Sequence, residues 1–281
     1  MLDSELPVTA ARIDRVRLHD PVFISDLHLS AAQPATSLAF EHFCSEVAPR
    51  YRELLILGDL FEFWAGDDDD ASPTGQRVAA ALRRVAGSGT AVWLMHGNRD
   101  LLLGPSFAAA CGAQLLADPV HAELAIASDH GDPEPTRPPR SSAALLLAHG
   151  DRYCTLDLPY QAFRAQVRDP AWQRAFLARP LAERQALIGA VRAQSEAGKQ
   201  VKSSQIMDVT PAAVEQAVRD SGMAILIHGH THRPGSYPLN GSVPPAQRWV
   251  LPDWDLDADV NSRRGGYLDL RHGTPALHRL P

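Results

Sequence analysis

Short apolar runs recur along the chain: VFIS at 22–25, LLIL at 54–57, AVWLM at 91–95, AALLLA at 143–148 and AILI at 224–227. Each is too short for a helix and is bounded by polar or turn-forming residues, so each predicts a buried strand. Helical spacing of apolar residues occupies 36–48 and 76–87, between the first of these runs. A later helix is punctuated by Thr210 as cap, Pro211 at its first position and Gly222 beyond its end, and it leads into AILI. Strands alternating with helices predict an α/β protein with a mostly buried sheet. WVL at 249–251 and GYLDL at 266–270 predict further strands, antiparallel and closing a second sheet.

Two stretches break the alternation. SDHGDPEPTRPPRSS at 128–142 is dense in proline and charge and reads as a loop. Residues 155–208 keep helical spacing throughout, and Pro170 and Pro180 divide them into short helices. Trp172, Phe176, Leu177 and Leu181 give this insertion an apolar face. Over 152–204 nine basic residues meet four acidic ones, a local surplus of five in a chain of net charge −6. An apolar, basic helical insertion predicts a lid over an acidic, partly apolar ligand.

The ends of the strands carry the chemistry. VFIS empties into Asp26-Leu27-His28, LLIL into Gly58-Asp59, AVWLM into HGNRD at 96–100, AALLLA into His149-Gly150-Asp151, and AILI into HGHTH at 228–232. Carboxyl ends of strands form the ligand crevice of open α/β sheets. A lone D-x-H or H-x-H is weak evidence of a metal, but their recurrence at successive strand ends is hard to explain by packing. Asp26, His28, Asp59, Asn98, His149, His230 and His232 can be drawn as ligands. Carboxylate, imidazole and amide without thiolate suit Mn, Fe(II) or Zn. So many protein ligands exceed the needs of one catalytic ion, whereas two ions about 3.5–4 Å apart, bridged by a carboxylate, account for them. Asp59 is the natural bridge.

Composition narrows the rest. The net charge of −6 leaves no global basic field for nucleic acid. Three isolated cysteines, Cys44, Cys111 and Cys154, argue for a reducing compartment and against a disulfide framework. The N-terminal stretch is charged from its third residue and lacks the apolar core of a signal peptide, and no apolar run can span a bilayer. A soluble protein, or one resting on a membrane surface, is expected. Of 27 basic residues only Lys199 and Lys202 are lysines, a pairing that suits a phosphate site. DDDD at 67–70 reads as a solvated turn before a helix, Cys154 as a buried small residue, and Trp64 as packing beside the site.

D-x-H, G-D, G-N, H-G-D and G-H-T-H in this order resemble the calcineurin-like metallophosphoesterases. FISDLHLS, LGDLFEFWAGDDD, HGNRDLLLG, HGDRYCTLD, YQAFR, SSQIMDV and IHGHTHRP narrow the resemblance to the branch that cleaves the pyrophosphate of UDP-2,3-diacylglucosamine in lipid A synthesis. That resemblance implies an αββα sandwich in one domain over 1–281, with 155–208 as a helical lid. It implies two Mn ions, with Zn or Fe as alternatives. Asp26, His28, Asp59 and His232 would hold one, and Asp59, Asn98, His149 and His230 the other. Asp59, Asn98, Arg99 and His230 would act in catalysis. Substrate contacts would fall on Asn98, Arg99, Asp157, Tyr160, Ser195, Lys199, Lys202 and His230. Hydroxide activated by the metal pair would attack the α-phosphorus and release UMP and 2,3-diacylglucosamine 1-phosphate.

The superfamily commonly has His where Arg99 stands. A sugar-phosphate leaving group is already a stable anion, so a fixed cation serves it better than an acid. The expected setting is a monomer, cytoplasmic and peripheral on the inner membrane. Two rivals remain: a phosphodiesterase or pyrophosphatase of soluble nucleotides, and a non-catalytic scaffold on the same fold. The loop at 128–142, the segment 256–264, and Pro252 in LPDW depart from the family pattern.

Overall fold

The computed structural model describes residues 12–69, 71–125, 143–199, 208–239 and 245–280. The strands expected from the apolar runs are β2 (Pro21–Ile24), β3 (Glu53–Leu57), β4 (Ala91–Met95), β6 (Ala143–Leu147) and β7 (Ile225–His228). Between them lie α1 (Pro34–Glu46), α2 (Pro73–Gly87) and α3 (Pro105–Cys111), and α7 (Pro211–Ser221) precedes β7. Gly222 ends α7 in the left-handed conformation, φ 69°. Thr210 precedes α7 without capping it: its hydroxyl accepts from Thr155 Oγ1 at 2.8 Å instead.

The apolar runs are continuous because both of their faces are buried. Leu54 and Ile56 of β3 face Phe40, Phe43, Val78, Leu82 and Phe107 on α1, α2 and α3. Leu55 and Leu57 face the opposite way, meeting Leu145 and Leu147 of β6 and Ile227 of β7. On the far side, Leu146 and Leu226 pack against Val214 and Val218 of α7. The layers are therefore helix, sheet, sheet, helix, the αββα sandwich. β5 (Ala113–Leu124) joins the sheet layers: Ala113 to Leu116 pair with β4, and Val120 to Leu124 pair with β6. β1 (Ile13–Leu18) lies along the same end of β5.

The C-terminal strands differ from the expected closure of a second sheet. β10 (Gly266–Asp269) pairs antiparallel with β2 in the first layer and with β11 (Ala276–Arg279). β9 (Ala246–Val250) runs parallel to β7 and antiparallel to β8 (Gly235–Leu239). Segment 256–264 has a definite task here. Asp257 accepts from Ala35 N and Thr36 N, both at 2.9 Å, in the first turn of α1. Those amides have no partner inside the helix, so a distant carboxylate caps it. Asp257→Ala is expected to cost about 1 kcal/mol, read as a lower urea midpoint at unchanged m.

The insertion forms α4 (Leu158–Val167), α5 (Pro170–Leu177) and α6 (Leu181–Lys199), with Pro170 opening α5 and Pro180 preceding α6. Its apolar face is used differently from the expectation. Phe176 is buried in the core beneath α1–α3, with Trp172 and Leu177 packed against it. Much of its positive charge is also turned inward. Arg184, 1% exposed, pairs with Asp68 and donates to the Ala65 carbonyl. Over its described residues DDDD is a turn with Asp68 exposed, as expected, but its carboxylates also take protein partners. Asp67 accepts from Trp64 Nε1 at 3.0 Å and from Phe107 N at 2.9 Å, at the start of α3. Asp69 accepts from Gln185 Nε2 at 3.1 Å, and Asp70 lies outside the described residues. A helix N-terminus and a buried guanidinium compete successfully with water for these carboxylates. The loop at 128–142 also lies outside the described residues.

Candidate metal centre

Among the described residues, five other than glycine hold positive φ: Asp26 (55°), His28 (51°), Asp59 (51°), His230 (66°) and His232 (53°). All belong to the ligand set read from the strand ends. This region costs a residue with a Cβ about 1–2 kcal/mol, and such strain gathers where function over-determines the backbone. Gly58 turns the chain after β3 at φ 92°, where a Cβ would lie 2.6 Å from both Gly97 Cα and His149 Nδ1. A Cβ on Gly97 would in turn strike the Asp59 carboxylate. Only glycine lets the two ligand turns approach so closely.

The side chains converge in two clusters, Asp26 with His28 and His232, and Asp59 with His149 and His230. In each, the candidate ligand atoms lie within 4.8 Å of one another. Asp59 Oδ2 stands between the clusters, 3.6 Å from His149 Nε2 and 3.9 Å from His28 Nε2. Asn98 joins the second cluster, its Oδ1 3.1 Å from His149 Nε2.

The donors fit a pair of divalent cations. Asp26 Oδ2 accepts from His230 N at 2.8 Å, but Oδ1 is buried without a hydrogen-bond partner. The Nε2 atoms of His28 and His232 approach to 3.5 Å. A partnerless buried carboxylate oxygen beside converging imidazole nitrogens is what a cation would satisfy. Charge in the pocket agrees. Burial opposes protonation of His149, but Asp59, Asp26 and Asp151 hold its pKa up at about 9. Burial likewise opposes charge on His232, yet Asp253 and Asp26 lift it to about 10. His230 is taken down to about 4, by burial and then by His149. The aspartates thus favour positive charge in this pocket, and metal binding displaces such protons.

Supporting bonds lock the turns. Asp100 accepts from Leu60 N and Gly97 N, both at 2.8 Å, joining the turns after β3 and β4. Burial and then Asp59 push its carboxyl up to about 6. Arg99 N donates to Asp59 Oδ1 at 2.8 Å, and its guanidinium lies 3.6 Å from Glu62. Helix α4 is built onto the second cluster. Asp157 caps it through Tyr160 N at 3.2 Å, and Tyr160 OH donates to Asp151 Oδ2 at 2.6 Å. The Tyr160 ring lies 6.3 Å from the His230 ring at 24°. Arg164 donates to Asp151 at 2.8 Å and to Asp118 at 2.9 Å, while Asp118 accepts from His149 N at 3.1 Å.

The structure therefore brings Arg99 and Tyr160 beside the clusters, while the Asp157 carboxylate caps α4. The side chains of Ser195 and Lys199, near the end of α6, and the whole of Lys202 lie outside the described residues. His96 and His228 bond to the carbonyls of Leu103 and Gly229, at 2.6 and 2.8 Å, rather than joining a cluster. Cys154 is buried, which pushes its thiol up to about 12. Trp64 stacks on Phe61 with centroids 4.7 Å apart. Sequence reading missed Glu62, Asp100, Asp118 and Asp253. For Asp253 a signal existed: WVLPDW is one more apolar strand emptying into an aspartate.

Residues 21–234, a span that includes every ligand of both clusters, match the calcineurin-like phosphoesterase family. The chain belongs to the calcineurin-like phosphoesterases. Similar proteins include the UDP-2,3-diacylglucosamine hydrolase of Cellvibrio japonicus, 46% identical over 83% of this chain and 90% of the relative. The protein of that name from Aromatoleum aromaticum is 47% identical over 84% of this chain and 90% of the relative. That from Ralstonia nicotianae is 42% identical over 96% of both chains. With both clusters complete, this phosphoesterase is a metal-dependent hydrolase. Non-catalytic scaffolds on this fold would typically lack several ligands, whereas all seven positions are filled here.

Proposed function

We propose that this phosphoesterase hydrolyses UDP-2,3-diacylglucosamine at the α-phosphorus, giving UMP and 2,3-diacylglucosamine 1-phosphate in lipid A synthesis. The observation that carries the reading is the pair of clusters with the Asp59 carboxylate near a histidine of each, in a chain 42–47% identical to proteins named UDP-2,3-diacylglucosamine hydrolase. Asp26, His28, Asp59 and His232 would hold one manganese ion, and Asp59, Asn98, His149 and His230 the other. When bound, such a pair lowers the pKa of water and polarises the phosphoryl group.

The chain supplies the remaining parts. Asp59 fixes the backbone of Arg99 beside the clusters, so its guanidinium can neutralise charge on the pyrophosphate. Tyr160 stands beside His230, and Asn98 beside His149; Asp157, Ser195, Lys199 and Lys202 are assigned to substrate by resemblance. Leu158, 72% exposed, Leu156, Phe163 and Val191 offer apolar surface on and beside the lid for acyl chains and lipid. No described helix is long and apolar enough to cross a membrane, so the contact proposed with the cytoplasmic face of the inner membrane is peripheral. The proposed state is a monomer.

The experiment is UMP release from UDP-2,3-diacylglucosamine and from UDP-N-acetylglucosamine, each with added Mn and with chelator. The diacylated substrate is expected to lead by at least about 100-fold in kcat/KM, since a few buried methylenes at about 0.8 kcal/mol each suffice. Chelator is expected to abolish both reactions. Equal kcat/KM on the two sugars would favour the soluble-nucleotide enzyme.

A further inference from the structure

Two carboxylates outside the ligand set reach the first cluster from behind. Glu62 Oε2 lies 2.9 Å from His28 Nδ1, and Asp253 Oδ2 lies 3.3 Å from His232 Nδ1. They arrive on separate loops, after β3 and after β9. Glu62 meets His28 at ion-pair distance without hydrogen-bond geometry, and both imidazoles turn Nε2 inward: these atoms lie 3.5 Å apart, and His232 Nε2 is 3.5 Å from Asp26 Oδ1. Both carboxylates are themselves held. Asp253 is 2% exposed and accepts from Arg264, and Trp254 N donates to the Asp26 carbonyl at 3.0 Å. Glu62 pairs with Arg192 on α6.

The second cluster is built from weaker parts. His149 Nδ1 meets a neutral partner, the Leu57 carbonyl, at 2.9 Å. Asn98 supplies an uncharged amide oxygen where the first cluster has the Asp26 carboxylate. A carboxylate on Nδ1 fixes the tautomer that leaves Nε2 free for a cation, and it makes that nitrogen more basic. A carboxylate ligand also binds a divalent ion more strongly than an amide does.

We infer that Glu62 and Asp253 are positioning residues that make the two metal sites unequal, so that the Asp26–His28–His232 site fills first and more tightly. The inference rests on the dinuclear reading of the clusters and not on the identity of the substrate.

The test titrates the metal-free full chain with Mn2+, following free Mn2+ by electron paramagnetic resonance. Wild type is expected to show a tight and a weak class of site, and His149→Ala to lose the weak one. E62Q and D253N are each expected to weaken the tight class by about 10- to 100-fold while the weak class stays in place. D253E is expected to restore part of the tight binding. The Tm of each metal-free variant separates this from misfolding and is expected to match wild type. Two equal classes in wild type would overturn the inference. So would wild-type binding by either variant, or equal weakening of both classes with a fallen metal-free Tm. No substrate is present, so the titration can fail while the hydrolysis assay succeeds, and the reverse.

Discussion

Asp59→Asn is expected to lower kcat/KM for UMP release by about 1,000-fold or more while the protein stays folded. Asp59 is the side chain placed to serve both clusters, with Oδ2 under 4 Å from His149 Nε2 and from His28 Nε2. Asparagine keeps its shape, and its carbonyl oxygen can still accept the Arg99 N–H now held at 2.8 Å. What disappears is the negative charge that two bound cations would share. Charge stabilisation by metals in such a site is worth several kcal/mol, and each 1.4 kcal/mol is tenfold in rate. Metal content should fall from two ions per chain to one or none in the same preparation. A variant that keeps two ions and normal turnover would remove Asp59 from the bridge.

Arg99→His is expected to keep the metals and lose most pyrophosphate hydrolysis. The contact from this position to Asp59 comes from the backbone N–H, so a changed side chain leaves it standing. The guanidinium is a permanent cation, whereas a histidine near neutral pH is mostly uncharged and works as an acid. A sugar phosphate leaves as a stable anion and has little use for that proton. Loss of one well-placed charge donor costs about 3–4 kcal/mol, or about 100- to 1,000-fold in kcat/KM. The check is steady-state UMP release alongside metal analysis. Near-normal turnover with both ions present would mean that Arg99 does not carry the charge on the pyrophosphate.

The ligand set was legible because the same event repeats: an apolar strand ends and a metal-binding side chain follows. Sheet strands buried on both faces are continuous apolar words, so β2, β3, β4, β6 and β7 could be read within a residue or two of their ends. β1, IDRVRL, hides because its polar positions are exposed and it borders only β5. β5 hides because AQLLADPVHAEL mixes charges and proline, having to leave one sheet layer and enter the other. The lid's helices followed from Pro170 and Pro180, but which of its faces is covered did not. Trp172 and Phe176 face the core, Arg164 serves the buried Asp118 and Asp151, and the buried Arg184 holds the exposed Asp68, through contacts that no local spacing encodes. Glu62 was invisible for the same reason, and Asp253, although it follows one more apolar strand, gave no sign of its partner. Their partners, His28 and His232, lie on other strand ends, and only the folded sheet brings them together.

The account depends on two divalent ions sharing Asp59 between the clusters. The most direct measurement is an anomalous difference map from crystals of the full chain grown with Mn2+, collected at the manganese absorption edge. Two peaks about 3.5–4 Å apart are predicted, one beside Asp26, His28 and His232, the other beside Asn98, His149 and His230, with Asp59 between them. A single peak, or manganese bound away from these side chains, would contradict it.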